Sequence, residues 1–260
     1  MQDFTQSELI DLFDLKYRAS GTLGPDPARR LRFGYFNPDD HYEALLRRLV
    51  HHEARWLDVG CGRNLFPSNR ALASELSERC KLLVGVDPDA TIHENPFVHQ
   101  KIQGVVQDLG SESRFDLVTL RMVAEHVAEP SKLLDALARM VVPGGLVVIY
   151  TINRWSPVPL ITSLTPFALH QPIKRVLWRT EAKDTFPTTY RMNTRRELAS
   201  LFAASGFDES AFWYLDDCRS LARFGILNVL ELSLRTLLHR MGLRYPENCL
   251  LGVYARRADS

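Results

Sequence analysis

The period of the hydrophobic positions changes several times along the chain. Between Ser7 and Lys16 the residues Leu9, Ile10, Leu12, Phe13 and Leu15 recur at helical spacing and predict a short helix. Gly21-Thr-Leu-Gly-Pro-Asp-Pro27 is dense in glycine and proline and reads as a turn-rich stretch without helix. Tyr42, Leu45, Leu46, Leu49 and Val50 then mark one face of a second helix from about Asp40 to His51. From Arg55 onward, short apolar runs alternate with helical ones. Strands are predicted over Arg55–Gly60, Lys81–Asp87, Val98–Ile102, Phe115–Leu120 and Leu146–Tyr150. One intervening helix carries Leu72, Leu76 and Cys80, and another spans Ser131–Val142 until Pro143-Gly144-Gly145 stops it. This alternation predicts an α/β fold, a doubly wound and mostly parallel sheet with helices on both faces.

The texture changes after residue 154. Trp155–Trp178 is apolar but interrupted by Pro157, Pro159, Pro166 and Pro172, which excludes one long helix. Thr194-Arg-Arg-Glu197 reads as a capping box ahead of a helix through Leu198, Leu201 and Phe202 that Gly206 ends. Phe207–Leu215 and Cys249–Arg256 read as two closing strands. Between them, Leu221–Gly242 is helical in pattern, with Ile226, Leu227, Leu230, Leu234, Leu237 and Leu238 set against Arg235, His239 and Arg240. Such a helix suits peripheral contact with a membrane or a homodimer, although core burial is the commoner explanation. The expected organisation is a helical cap over 1–52, a ligand-binding core over 53–153, and a substrate-cover insertion with closing strands over 154–260.

Charge narrows the partners. Basic and acidic residues number 32 and 31, so no nucleic-acid partner is expected. Cys61, Cys80, Cys218 and Cys249 lie far apart and form neither a zinc pattern nor a disulfide framework, which leads us to expect a reducing, cytoplasmic setting. No run reaches the roughly 18 apolar residues of a membrane span.

Candidate chemistry centres on Asp58-Val-Gly-Cys-Gly62, where a strand ends in a glycine turn that lets a ligand approach the backbone. Dinucleotide-binding sheets use a related turn, yet here the carboxylate of Asp58 would repel a pyrophosphate, and it suits the ammonium end of a zwitterion. The third glycine of the dinucleotide pattern is replaced by Arg63-Asn64-Leu65, in which Asn64 can still adopt a left-handed conformation and keep the loop tight. Asp87, at the end of the second strand and ahead of Pro88, is placed to accept the two hydroxyls of a ribose or to cap the following turn.

Taken together, Leu57-Asp-Val-Gly-Cys-Gly62, Val84-Gly-Val-Asp87, Phe115-Asp-Leu-Val-Thr119, Glu125-His126-Val127 and Val142-Pro-Gly-Gly145 resemble, in order and spacing, the successive motifs of class I S-adenosylmethionine-dependent methyltransferases. The resemblance covers roughly residues 30 to 155 and implies S-adenosylmethionine as cofactor and a seven-stranded sheet whose last strand is antiparallel. Within that group the chain is similar to ubiquinone-biosynthesis O-methyltransferases through Arg32-Phe-Gly-Tyr35 and Thr151-Ile-Asn-Arg154. It implies that Arg32 pairs with the cofactor carboxylate, with a solvated arginine as the competing reading, and that Arg121 offers mainly backbone contacts. Val105-Val106 stands where many relatives place an acid against the adenine, leaving backbone groups near Val106 to recognise the base. Met122 replaces the first glutamate of their metal motif, so no metal is expected. The implied cofactor contacts are therefore Arg32, Asp58, Gly60, Cys61, Gly62, Asp87, Pro88, Val106 and Arg121.

Methyl transfer to oxygen needs a positioned acceptor and a group to take its proton. His126, with Glu125 beside it, is the candidate base, against a purely structural histidine at a helix start. His170, Tyr190 and Arg191 are the candidate acceptor contacts, against ordinary packing. The expected activity is methylation of a small, lipid-like or aromatic molecule on oxygen. Methylation on nitrogen or carbon, and a non-catalytic S-adenosylmethionine-binding subunit, are the alternatives. A nicotinamide oxidoreductase conflicts with Asp58.

Overall fold

The computed structural model describes residues 1–18, 23–110, 114–156, 187–219 and 221–258. Seven strands form one sheet in the order β3-β2-β1-β4-β5-β7-β6. They are β1 (Arg55–Val59), β2 (Leu82–Asp87), β3 (Gln100–Gln103), β4 (Phe115–Arg121), β5 (Val141–Ile152), β6 (Phe207–Asp216) and β7 (Glu247–Arg256). The first five pair in parallel, and β7 runs antiparallel to both β5 and β6. The chain runs outward from β1 through β2 to β3 and then returns to β4 on the other side of β1. That reversal opens a crevice at the carboxyl ends of β1 and β4, where sheets of this kind bind ligands.

Each strand alternates its side chains between two cores. Trp56, Leu83, Leu117, Val148 and Tyr150 pack beneath α1 (Gln6–Tyr17), α3 (Pro38–Leu49) and α4 (Arg70–Arg79). Leu57, Val59, Val84, Val118 and Ile149 face α5 (Pro130–Met140) and α6 (Arg195–Ala204). The result is a helix, sheet, helix sandwich, as the strand and helix alternation implies.

Several local expectations are corrected. The proline-rich stretch does enter a helix, α2 (Pro25–Arg32), because Pro25 occupies its first turn, where a missing N–H costs no hydrogen bond. The helix over 131–142 stops at Met140, and Val141 already pairs with Phe115, so Pro143-Gly144-Gly145 lies inside β5 at a register shift. Thr194 caps α6 through the Glu197 amide, but Glu197 reaches past it to the Asn193 amide at 3.2 Å. The reciprocal capping box instead occurs at Thr5 and Glu8 of α1.

The largest correction concerns α7 (Gly225–Arg240), in the connection between β6 and β7. Its buried residues are Asn228, Glu231 and Leu232, while Ile226, Leu227, Leu230, Leu234 and Leu237 face outward. Core burial therefore does not explain its apolar face. A polar network fixes the orientation. The guanidinium of Arg29 donates to Asn228 Oδ1 at 3.2 Å, Asn228 Nδ2 donates to the Cys218 carbonyl at 3.1 Å, and the Tyr245 hydroxyl donates to Glu231 at 3.1 Å. Turning the helix over would strand these buried polar groups.

Candidate active site

The glycine turn lies at the end of β1, with Gly60 at φ 72° and Gly62 at φ 45°. Both values belong to the left-handed region that glycine enters without strain. Asn64 is not left-handed, because Gly62 already makes the reversal. A Cβ on Gly60 would overlap Val123 Cγ2, so this glycine is demanded by the loop leaving β4 as well as by any ligand. Cys61 is buried, and its sulfur sits where a Cβ on Gly85 would lie. Helix α4 begins only at Arg70, after a loop anchored by the buried Leu65 and Phe66.

Two carboxylates frame the turn. Asp58 is buried, and its Oδ1 accepts from the Thr119 hydroxyl at 2.5 Å, which itself accepts from the Trp56 indole at 2.7 Å. Burial pushes the Asp58 carboxyl up to about 7, with Thr119 and Arg121 opposing. Asp87 accepts from the Gly62 amide at 2.9 Å through one oxygen and from the Asp89 amide at 2.8 Å through the other. It thus caps the turn ahead of the exposed Pro88 and retains lone pairs for hydroxyl donors. Asn95, fully buried, was not legible as a site residue. Its amide donates to the Gly62 carbonyl at 3.0 Å and braces the turn from below. Asn95→Ala leaves that carbonyl without its donor, and we expect ligand affinity to fall about tenfold, from roughly 1–2 kcal/mol lost; titration calorimetry reads this directly.

On the same face of the sheet, Arg121 ends β4. Its side chain pairs with Asp39 at 3.4 Å. Asp39 also pairs with Arg219, and although burial opposes its charge, the two guanidiniums hold it at about 2. Arg32 is exposed on the last turn of α2 and makes no ion pair among the described residues, whereas its neighbour Arg30 is buried against Asp40 at 2.9 Å. Val106 is buried in the core while Val105 is exposed.

The opposite face of the crevice holds the candidate base. Glu125 is buried, and its Oε2 accepts from the Thr151 hydroxyl at 2.7 Å. Thr151 in turn accepts from Asn193 Nδ2 at 2.8 Å. Burial pushes the Glu125 carboxyl up, and the Thr151 hydrogen bond opposes that shift. His126 is half-buried, and its Nδ1 lies 3.2 Å from the Pro187 carbonyl. The Glu125 carbonyl accepts from the amides of Thr189 and Tyr190 at 2.7 and 3.2 Å. Of the candidate acceptor contacts, Tyr190 is half-buried here and Arg191 is exposed, while His170 lies outside the described residues. Among the described residues two non-glycine ones take positive φ, Met122 at 52° and Tyr190 at 50°, and both border this loop. Strain of this kind gathers at functional sites. Among the described residues no three His, Cys, Asp or Glu side chains converge as metal ligands.

A separate cavity of about 450 Å³ lies between β6 and α7, lined by His41, Asp216, Arg235 and His239. It is at the far end of the sheet from β1, roughly 19 Å away at the usual strand spacing, and belongs to a different region.

The sequence model of a family described as a methyltransferase domain matches residues 28–209, more than half of the chain. A ubiquinone biosynthesis O-methyltransferase from Nitrobacter winogradskyi is 33% identical over 109 residues, covering 38% of this chain and 39% of that protein. One from Pseudomonas syringae pv. tomato is 36% identical over 108 residues, 38% and 44% of the two chains. The chain thus spans less than half the length of these curated relatives. Among solved structures, the N-methyltransferase NodS from Bradyrhizobium japonicum in complex with S-adenosylhomocysteine superposes with a TM-score of 0.50 at 14% identity, covering 98% of this chain and 100% of that one. A cyclopropane synthase from Mycobacterium tuberculosis does so at 0.53 and 12% identity, over 94% and 98%. At such identities the likeness is one of fold.

Proposed function

The chain belongs to the methyltransferase-domain family, and from that premise we propose that it is an S-adenosylmethionine-dependent methyltransferase acting on a small, apolar acceptor through oxygen. The observation that carries this reading is the glycine turn at the β1/β4 switch point, flanked by the buried carboxyl of Asp58 and the turn-capping carboxylate of Asp87. Asp58 uses one carboxylate oxygen for the Thr119 hydroxyl, which leaves the other to pair with an ammonium. The residues therefore fit a zwitterionic nucleoside: Asp58 for its ammonium, the Gly60–Gly62 backbone for close approach, Asp87 for its ribose. The likeness to O-methyltransferases over the 38% of the chain that matches them supports oxygen as acceptor atom.

S-adenosylmethionine, when bound, supplies an activated methyl group, so the protein's task is alignment and proton handling. Glu125, with its proton affinity raised by burial and its orientation set by Thr151, and His126 beside it take the acceptor's proton. Calorimetric titration with S-adenosylhomocysteine and with NAD tests the cofactor. Binding of NAD with no response to S-adenosylhomocysteine sinks the reading.

His126→Ala and Glu125→Gln should each lower kcat with labelled S-adenosylmethionine by 10²- to 10⁴-fold, as removal of a general base does, while S-adenosylhomocysteine affinity stays within a few-fold. Full turnover in both variants makes the pair structural.

A further inference from the structure

Helix α7 turns its polar side into the protein and its apolar side out. Ile226 is 80% exposed, Leu230 61% and Met241 63%, and Leu227, Leu234 and Leu237 complete the stripe. Neighbouring acids are neutralised: Asp26 pairs with Arg30, Asp216 with Arg235, Asp217 with Arg219 and Glu247 with Arg244. Between Arg223 and Pro246 the sole carboxylate, Glu231, is buried, whereas Arg223 and Arg240 are exposed and make no ion pair among the described residues. The outward face of this segment is therefore apolar with a cationic border and presents no exposed acid.

We propose that α7 docks in the plane of an anionic lipid bilayer surface, its leucines entering the headgroup boundary and Arg223 and Arg240 meeting lipid phosphates. Its 16 residues, about 24 Å of helix, are too short to span a bilayer and long enough to lie on one. A second copy of the chain fits less well. Two such faces set against each other bring arginine to arginine at the border with no carboxylate to answer it. The placement also has a use. β6 ends and β7 begins at the carboxyl edge of the sheet, so the segment carrying α7 hangs from the same edge as the glycine turn. Docking there presents the crevice toward the bilayer, where an apolar acceptor would partition. The docking itself rests on α7 alone and does not depend on the methyltransferase reading.

Flotation of the full chain with vesicles of phosphatidylcholine alone, and of phosphatidylcholine mixed with phosphatidylglycerol, tests this. We expect the chain to float with the mixed vesicles and to be released at high salt. Arg223→Ala and Arg240→Ala should each weaken binding roughly fivefold, and Leu230→Glu with Leu234→Glu should abolish it. Because those leucines are exposed, the double variant should keep its melting temperature and its S-adenosylhomocysteine affinity. Equal flotation with both vesicle types overturns the anionic specificity. A dimer that the double variant splits, in a chain that does not float, assigns the face to a second copy. A monomer that never floats means the stripe is covered within the chain, and either result overturns the proposal.

Discussion

Asp58→Asn is expected to weaken S-adenosylhomocysteine binding about tenfold to a hundredfold without lowering the stability of the ligand-free protein. The affinity loss follows from replacing a charge-assisted hydrogen bond with a neutral one, a difference of roughly 1.5–3 kcal/mol. Stability is spared because asparagine keeps an oxygen for the Thr119 hydroxyl and adds no charge to a buried position. The pH dependence gives the sharper test. The folded carboxyl sits at about 7 against an ordinary value of 3.8. A group raised in this way contributes stability that is fully present below pH 3.8 and is lost as pH rises through 7. Wild type should therefore lose ground to the asparagine variant between about pH 4 and 7, seen as a difference in melting temperature that grows with pH across that window. Ligand affinity runs the opposite way. An ammonium needs the ionised carboxylate, so wild-type affinity should rise from pH 6 to 8 while that of Asp58→Asn stays flat. A wild-type affinity without this rise removes Asp58 from the ammonium site.

Gly60→Ala should cost about 2–5 kcal/mol of stability and abolish measurable cofactor binding. Two terms add: a Cβ at φ 72°, roughly 1–2 kcal/mol, and overlap with Val123 Cγ2, roughly 1–3 kcal/mol. They separate in a double-mutant cycle. Val123→Ala removes the offending methyl while the position of its own Cβ, 3.7 Å away, is an ordinary contact, so the double variant should recover the overlap term and keep the backbone term. Denaturant unfolding measures both. Additive losses would show that the turn and the β4 exit loop do not touch in solution. If they do touch, the cofactor turn and the loop carrying Glu125 and His126 are one packed unit, since Val123 is two residues from Glu125. Rescue of stability in the double variant without rescue of kcat would then locate the remaining defect in the turn's path.

The candidate site was legible where local chemistry sufficed. Asp58, Gly60, Gly62 and Asp87 stand at strand ends in a spacing that names them, because strand, tight turn and acid are consecutive in the chain. Asn95 and Thr119 were not. Asn95 lies outside every motif and reaches Gly62 across 33 residues, while Thr119 stands in the Phe115–Thr119 motif but reaches Asp58 across 61, a contact that no local pattern specifies. Arg121 was visible as the end of a strand, but its partner Asp39 comes from a helix 82 residues earlier. The Glu125, Thr151 and Asn193 chain joins three segments that only the sheet brings side by side.

By itself the sequence determined the strands, the two closing ones included, and most of the helices; the antiparallel sense of the last strand came from the family resemblance. Period and breaker residues are properties of a few consecutive positions, and the parallel sheet follows from their alternation. Tertiary structure decided the direction in which an ambiguous face points. Helix α7 carries enough leucine to read as a core helix, yet Asn228 and Glu231 on its other side are held inside by Arg29 and Tyr245, and the leucines are left in solvent. Periodicity records that a helix has two faces. Which one is buried depends on partners far away in sequence, because an unpaired buried polar group costs as much as an exposed leucine or more.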